Sequence, residues 1–213
     1  VRIDGEEAYG LQFRYLNNVQ ITALSRRYGS TAGGELLVVT GVHFTATDEV
    51  YCMFGSVSSS AHVLSSTSMQ CLVPASVSSE EGSVTFSVSF DGIVITSDDD
   101  FTYITAPVLS NIAPSTGPLM GATRVNITGH SFKQTSLYLC TFGHESVAAI
   151  YLNETSLYCN APGHSTSVVT MSISDRGVYS DKLKYTYKDT AVASTVHSST
   201  STLVYTPLTA IKT

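Results

Sequence analysis

Positive charge is scarce in this chain. Of 213 residues only 11 are Lys or Arg against 17 Asp or Glu, giving a net charge of -6 and 13% charged residues. Binding nucleic acid needs a cationic face that displaces counterions from phosphate, so nucleic acid is excluded as a partner. The same shortage removes any polybasic signal for anionic lipid. No apolar run approaches the ~20 residues of a membrane helix, so this segment does not insert directly into a bilayer. No long stretch has the Ala/Leu/Glu/Lys character of a helix. The nucleophile elbow GxSxG, the phosphate loops GxxxxGKS/T and GxGxxG, and the metal spacings CxxC and HxxxH are all missing. The expectation is therefore a protein that is not an enzyme and uses no cofactor. The opening residues, Val1-Arg2-Ile3-Asp4, have no signal-peptide layout, and the chain reads as cut from something longer.

Ser and Thr together make up about a quarter of the chain, far above ordinary globular usage. Tyr occurs 12 times, Trp not at all, and 43% of residues are hydrophobic, enough to bury real cores. Thr, Tyr, Val and Ile suit pleated, half-buried surfaces, and the pattern has period 2. Val84, Phe86, Val88 and Phe90 alternate with Thr85, Ser87 and Ser89; Val169, Met171 and Ile173 alternate with Thr170, Ser172 and Ser174. Such alternation puts apolar side chains on one sheet face and hydroxyls on the other. The fold class is all-β, and short strands between Gly, Asp and Ser turns indicate sandwiches.

The sequence repeats itself at a shift of 88 residues, which carries Cys52-x-Phe54-Gly55 onto Cys140-x-Phe142-Gly143. The same shift carries Cys71-x-x-Pro74 onto Cys159-x-x-Pro162. Ile21, Leu24, Gly29 and Gly33 fall on Leu109, Ile112, Gly117 and Gly121, and Thr40-Gly41 and Phe44 fall on Thr128-Gly129 and Phe132. The second copy closes slightly sooner, with Tyr185-x-Tyr187 answering Phe101-x-Tyr103. At the front, Asp4-Gly5 and Phe13-Arg14-Tyr15 resemble Asp91-Gly92 and Phe101-Thr102-Tyr103. Four segments follow: 1–15, the closing hairpin of a preceding repeat; 16–104 and 105–188, two complete repeats; and 189–213, a Ser/Thr-rich linker or the start of a following repeat. The linker Ile104-Thr105-Ala106-Pro107 leaves almost no slack.

Parity sets where the cysteines point. Val50, Cys52 and Phe54 share a strand face, as do Met69, Cys71 and Val73; Tyr138-Cys140-Phe142 and Leu157-Cys159-Ala161 preserve this. All four sulfurs face cores, from strands that could be adjacent. The pairing expected is Cys52–Cys71 and Cys140–Cys159, each closing a loop of about 20 residues and contributing roughly 3 kcal/mol. One bridge per small repeat places the protein in the secretory pathway, extracellular or at the cell surface. Two sequons agree with that compartment: Asn126-Ile127-Thr128, with Asn126 facing water between inward Val125 and Ile127, and Asn153-Glu154-Thr155 in a turn.

The pattern Pro107…Ile112-x-Pro114-x-x-Gly117-x-x-x-Gly121, Val125-x-Ile127-x-Gly129-x-x-Phe132, Cys140-x-Phe142, Leu157-x-Cys159-x-Ala161-Pro162 and Tyr185-x-Tyr187 resembles IPT/TIG domains. These are immunoglobulin-like folds of plexins and related receptors, fibrocystin-like proteins and large surface proteins of microbes and protists. The resemblance spans about residues 19–104 and 106–188; the first copy departs at its entry, where Ser25-Arg26-Arg27 stands in place of the Ala113-Pro114 turn. It implies tandem immunoglobulin-like β-sandwiches in an extracellular array. It implies no shared active site. A DNA-contacting branch, the Rel-type transcription factors, is disfavoured by the acidity, the paired cysteines and the tandem repetition.

The remaining candidates are few. His43, His62, His130, His144, His164 and His197 are scattered and read as surface or turn histidines. Asp98-Asp99-Asp100 with Asp91 offers hard oxygen ligands for calcium at a domain junction, or else a solvated hairpin tip that keeps an edge from pairing. The expected function is a structural or adhesive module of a longer array, a cell-surface protein or an extracellular filament. Its expected partners are neighbouring repeats or other protein subunits, with self-assembly. The alternatives are a receptor ectodomain segment that binds a protein ligand, marked by an exposed apolar patch, and an accessory carbohydrate-binding module with Tyr151, Tyr158 and Tyr179 as a row of exposed aromatics.

Overall fold

A computed structural model describes residues 18–47, 49–165 and 167–189, and the backbone of two short strands, β1 (Arg2–Ile3) and β2 (Glu6–Glu7). These two pair antiparallel, Arg2 opposite Glu7. The rest of the expected opening hairpin, His197 and the tail beyond Asp189 lie outside the described residues.

The first repeat runs β3 (Gln20–Leu24), β4 (Tyr28–Ser30), β5 (Leu36–Val42), β6 (Val50–Phe54), β7 (Val57–Ser65), β8 (Ser68–Leu72), β9 (Gly82–Phe90) and β10 (Ile93–Ile104). The second runs β11 (Val108–Ala113), β12 (Thr116–Pro118), β13 (Arg124–His130), β14 (Tyr138–Phe142), β15 (Glu145–Ala148), β16 (Ile150–Asn153), β17 (Ser156–Asn160), β18 (Val168–Asp175), β19 (Val178–Tyr179) and β20 (Leu183–Lys188). In the second repeat one sheet is β11-β13-β17-β16 and the other β12-β20-β18-β14-β15, with β19 beside β18. The first repeat has the same order, but its β7 is continuous. Residues up to Ser60 pair with β6 and those from Ala61 pair with β8, so one strand crosses between the layers. In the second repeat that crossing is split at Ala149, whose amide bonds the Tyr138 carbonyl instead.

The alternation read in β9 puts Phe86 and Val88 opposite Phe54 and Cys52, all buried. Met171 and Ile173 sit likewise opposite Phe142 and Cys140. In the first core, Phe54 meets Phe86 and Phe101 edge-on with ring centroids 5.2 and 5.0 Å apart; Phe142 and Tyr185 repeat that packing at 5.0 Å. Burying one such ring stabilises by about 2–3 kcal/mol relative to exposure. The two cores are separate clusters, one per repeat.

Two matched glycines are required by backbone proximity. Gly33 and Gly121 have φ of +68° and +80°, and a Cβ on either would sit 2.5 Å from the carbonyl carbon of Pro74 or Pro162. Left-handed backbone at this closeness admits glycine alone.

Candidate functional site at the junction between repeats

The linker is short and packed. Ile104 and Pro107 are buried, and Pro fixes its own φ. Beside it, Glu81 just before β9 uses both carboxylate oxygens: Oε1 accepts the Thr105 amide at 2.8 Å, and Oε2 takes Lys133 Nζ from the β13–β14 loop of the second repeat. Partial burial alone would raise the Glu81 carboxyl, but the hydrogen bonds from Lys133 and Thr105 and the Lys133 charge hold it below its ordinary value. The loop carrying Lys133 is set from below, because the Lys133 amide donates to the hydroxyl of buried Tyr138 at 2.7 Å.

A second contact also joins the two repeats. The β18–β19 turn brings the Arg176 guanidinium over the Tyr28 ring of β4, 5.1 Å from its centroid, and β19 lies against β4 with Val178 buried. Asp175, buried at the same turn, has Oδ1 3.9 Å from Arg176 Nε. A small cavity of about 70 Å³ separates Glu81 and Lys133 from Asp175 and Arg176. A solvated ion pair contributes about 0.2–1 kcal/mol, and an exposed cation–π contact about 0.5–1. With the charged bond to the linker amide the sum is on the order of 2–5 kcal/mol. That fixes an orientation without making it unbreakable.

The structure joins Cys52 to Cys71 and Cys140 to Cys159, with Cα atoms 6.3 and 6.6 Å apart and all four side chains buried. The cysteine strands, which could have been adjacent, are not sheet neighbours. β6 and β8 belong to opposite layers, as do β14 and β17, so each bridge ties the two sheets through the core. Asn126 is exposed on β13 between buried Val125 and Ile127. Asn153 is exposed at the end of β16, where its Oδ1 accepts the Thr155 amide and hydroxyl, both at 3.0 Å.

The acidic cluster is no hairpin tip. The β9–β10 turn is Asp91-Gly92, whereas Asp98, Asp99 and Asp100 lie well along β10 at a register shift between Thr96 and Asp100. At the ~3.3 Å rise of a strand, the seven steps of β10 from Ile93 to Asp100 put Asp91 more than about 20 Å from Asp100. Asp99 pairs with Arg27 at 2.7 Å. Among the described residues no three His, Cys, Asp or Glu side chains gather to hold a metal, so the four calcium candidates are not brought together. The tyrosine row is not formed either. Tyr151 packs against the core opposite Leu157, Tyr158 points to the outer face under Arg124 at 3.7 Å, and Tyr179 is exposed on the other sheet. His43, His62, His130 and His144 are exposed, while His164 is half-buried and stacks on Tyr187 at 5.2 Å.

Both repeats match the description of the IPT/TIG domain, over residues 20–103 and 107–187. The chain belongs to the IPT/TIG family. Dog fibrocystin (Canis lupus familiaris) is 29% identical over 161 residues, 71% of this chain and 4% of that protein. Mouse plexin-A2 (Mus musculus) is 30% identical over 149 residues, 68% of this chain and 8% of that protein. Among solved structures, the plexin A4 extracellular region aligns with 79% of this chain and 15% of its own at 22% identity, with a TM-score of 0.45. The chain thus spans under a tenth of these curated relatives. It is an extracellular or cell-surface, non-enzymatic segment of IPT/TIG repeats, as the repeats of plexins and fibrocystins are.

Sequence reasoning missed the IPT/TIG junction residues. Glu81, Lys133, Arg176 and Tyr28 sit in turns and a three-residue strand and carry no periodic signal. The short linker was the one clue that the repeats touch.

Proposed function

We propose that this segment is a stiff structural or adhesive section of a longer IPT/TIG array, with repeat boundaries at 16–104 and 105–188, preceded by the closing hairpin of another repeat. Its partners on this reading are its neighbouring repeats. The observation that carries the proposal is the doubly engaged Glu81 carboxylate, which ties linker and next repeat to the first. A flexible tether between binding modules has no use for such a clamp. Small-angle scattering tests it: the tandem chain should scatter as one elongated particle, and a chain with eight Gly/Ser residues inserted after Thr105 should scatter as two loosely tethered ones. Identical flexibility in both would remove the stiff-rod reading.

A protein-binding surface that takes a second copy of the chain as its partner is the second reading, favoured by one feature. Leu139 and Tyr179, both exposed, flank buried Ser174 in one cross-strand row; Tyr51 and Val94 flank Ser89 in the first repeat. If that face mediates self-assembly, sedimentation velocity should show concentration-dependent association that Leu139→Asp abolishes. A monomer at all concentrations would count against self-assembly.

A further inference from the structure

We propose that the outer face of the β11-β13-β17-β16 sheet carries a sugar-docking strip, formed by Tyr158, Ile150 and Arg124, that receives the innermost N-acetylhexosamine of a glycan on Asn126. The inference rests on Asn126 being an occupied sequon. Asn126 of β13 lies directly opposite Tyr158 of β17, and Tyr158 lies directly opposite Ile150 of β16. Directly opposed residues point to the same face of a sheet. That face is the solvent face, because the flanking Val125, Ile127, Leu157 and Cys159 are all buried. A line of side chains thus runs across the strands from the sequon asparagine over an aromatic ring to an isoleucine that is 49% exposed.

The chemistry suits an amino sugar. A pyranose presents an apolar C–H face that packs on a branched aliphatic and on the part of the Tyr158 ring that Arg124 leaves uncovered, as an exposed apolar strip requires of its occupant. Its acetamido carbonyl is an acceptor, and Arg124, two residues before Asn126 with its guanidinium 3.7 Å from the Tyr158 centroid, brings donors to the same place.

The first repeat is an internal control. At the equivalent positions Leu36, Val38, Gln70 and His62 stand for Arg124, Asn126, Tyr158 and Ile150, in the same register, with Val38 and His62 both opposite Gln70. The sequon, the ring and the exposed isoleucine occur together in the second repeat, and all three are missing from the first. Three separate surface substitutions fall together on one cross-strand row, as a sugar and its platform require.

The test uses the full tandem chain secreted from glycosylating eukaryotic cells, with Asn153→Gln leaving one sequon. Peptide mass spectrometry reads occupancy, and calorimetry reads Tm of the second repeat. Asn126 is expected to be occupied, and trimming to a single sugar should leave Tm unchanged. Asn126→Gln should lower it by about 4 °C, and in a Tyr158→Ser background that drop should nearly vanish. Ile150→Ser and Arg124→Ser repeat the comparison should Tyr158→Ser fail to be secreted. A bare Asn126 overturns the glycan premise. An occupied Asn126 whose loss costs nothing, or costs the same with and without Tyr158, overturns the docking strip.

Discussion

Removing the second disulfide while keeping the first separates the two repeats energetically. Cys140 and Cys159 are 19 residues apart in sequence and both buried, so the double change to Ala removes one cross-link and little else. Chain-entropy arithmetic for a loop of about 20 residues gives roughly 3 kcal/mol at 25 °C. The two smaller side chains leave a gap between the sheets worth about another 1 kcal/mol. For a domain of roughly 80 residues, 1 kcal/mol corresponds to about 4–8 °C, so the second repeat should melt some 15–30 °C lower. The first repeat has its own core and bridge, and its transition should stay near its original temperature. Calorimetry of the tandem chain, with non-reducing peptide mapping of the parent, measures both. A shift of the second transition below about 3 °C, or mapping that finds the four thiols free or cross-paired, would rule out a stabilising bridge within each repeat.

Further outcomes follow from the same geometry. Gly121→Ala places a Cβ against the Pro162 carbonyl carbon in left-handed backbone and should cost at least 1–2 kcal/mol, read by urea unfolding. Tyr138→Phe strips the acceptor from the Lys133 amide and should cost about 1–3 kcal/mol, with faster hydrogen exchange at that amide. Burial, then the Glu35 charge, pushes Tyr103 up to about 12, and burial, then Tyr185, does the same for Tyr187. A phenol whose folded value is raised contributes stability that is whole below its unfolded value near 10, so both repeats should lose stability as pH climbs from about 10 to 12. Chemical denaturation across that range that shows no loss would contradict the burial of these rings. Glu81 is depressed, so its contribution is present above the ordinary carboxylate value and lost on acidification: alignment of the repeats should loosen below about pH 4, and Glu81→Gln should mimic this at neutral pH.

How much was legible follows from the kind of signal each feature leaves. Cys52 and Cys71 announce themselves by parity, because a strand's two-residue period gives each side chain a face; the same parity places Asn126 outward. Parity says nothing of which layer a strand joins. Parity therefore leaves adjacent strands open for the bridges, whereas they span the sandwich. The break at Ala149 that divides the second repeat's crossing strand has no counterpart in β7, although the surrounding residues align. Asp98, Asp99 and Asp100 look like a turn by composition, yet β10 runs through them because Asp99 has Arg27 to pair with and the strand shifts register there. Tyr151 and Tyr158 lie close in sequence on successive strands, and register turns them to opposite faces. Junction contacts such as Lys133 to Glu81 join residues far apart in the chain, and only the folded arrangement brings them together.

On the proposed stiff-array reading, the two IPT/TIG repeats move as one body. Residual dipolar couplings from both repeats of the tandem chain measure this directly. A rigid junction gives a single shared alignment tensor at neutral pH, which splits into two of unequal magnitude in Glu81→Gln. Unequal tensors already present in the unaltered chain would contradict it.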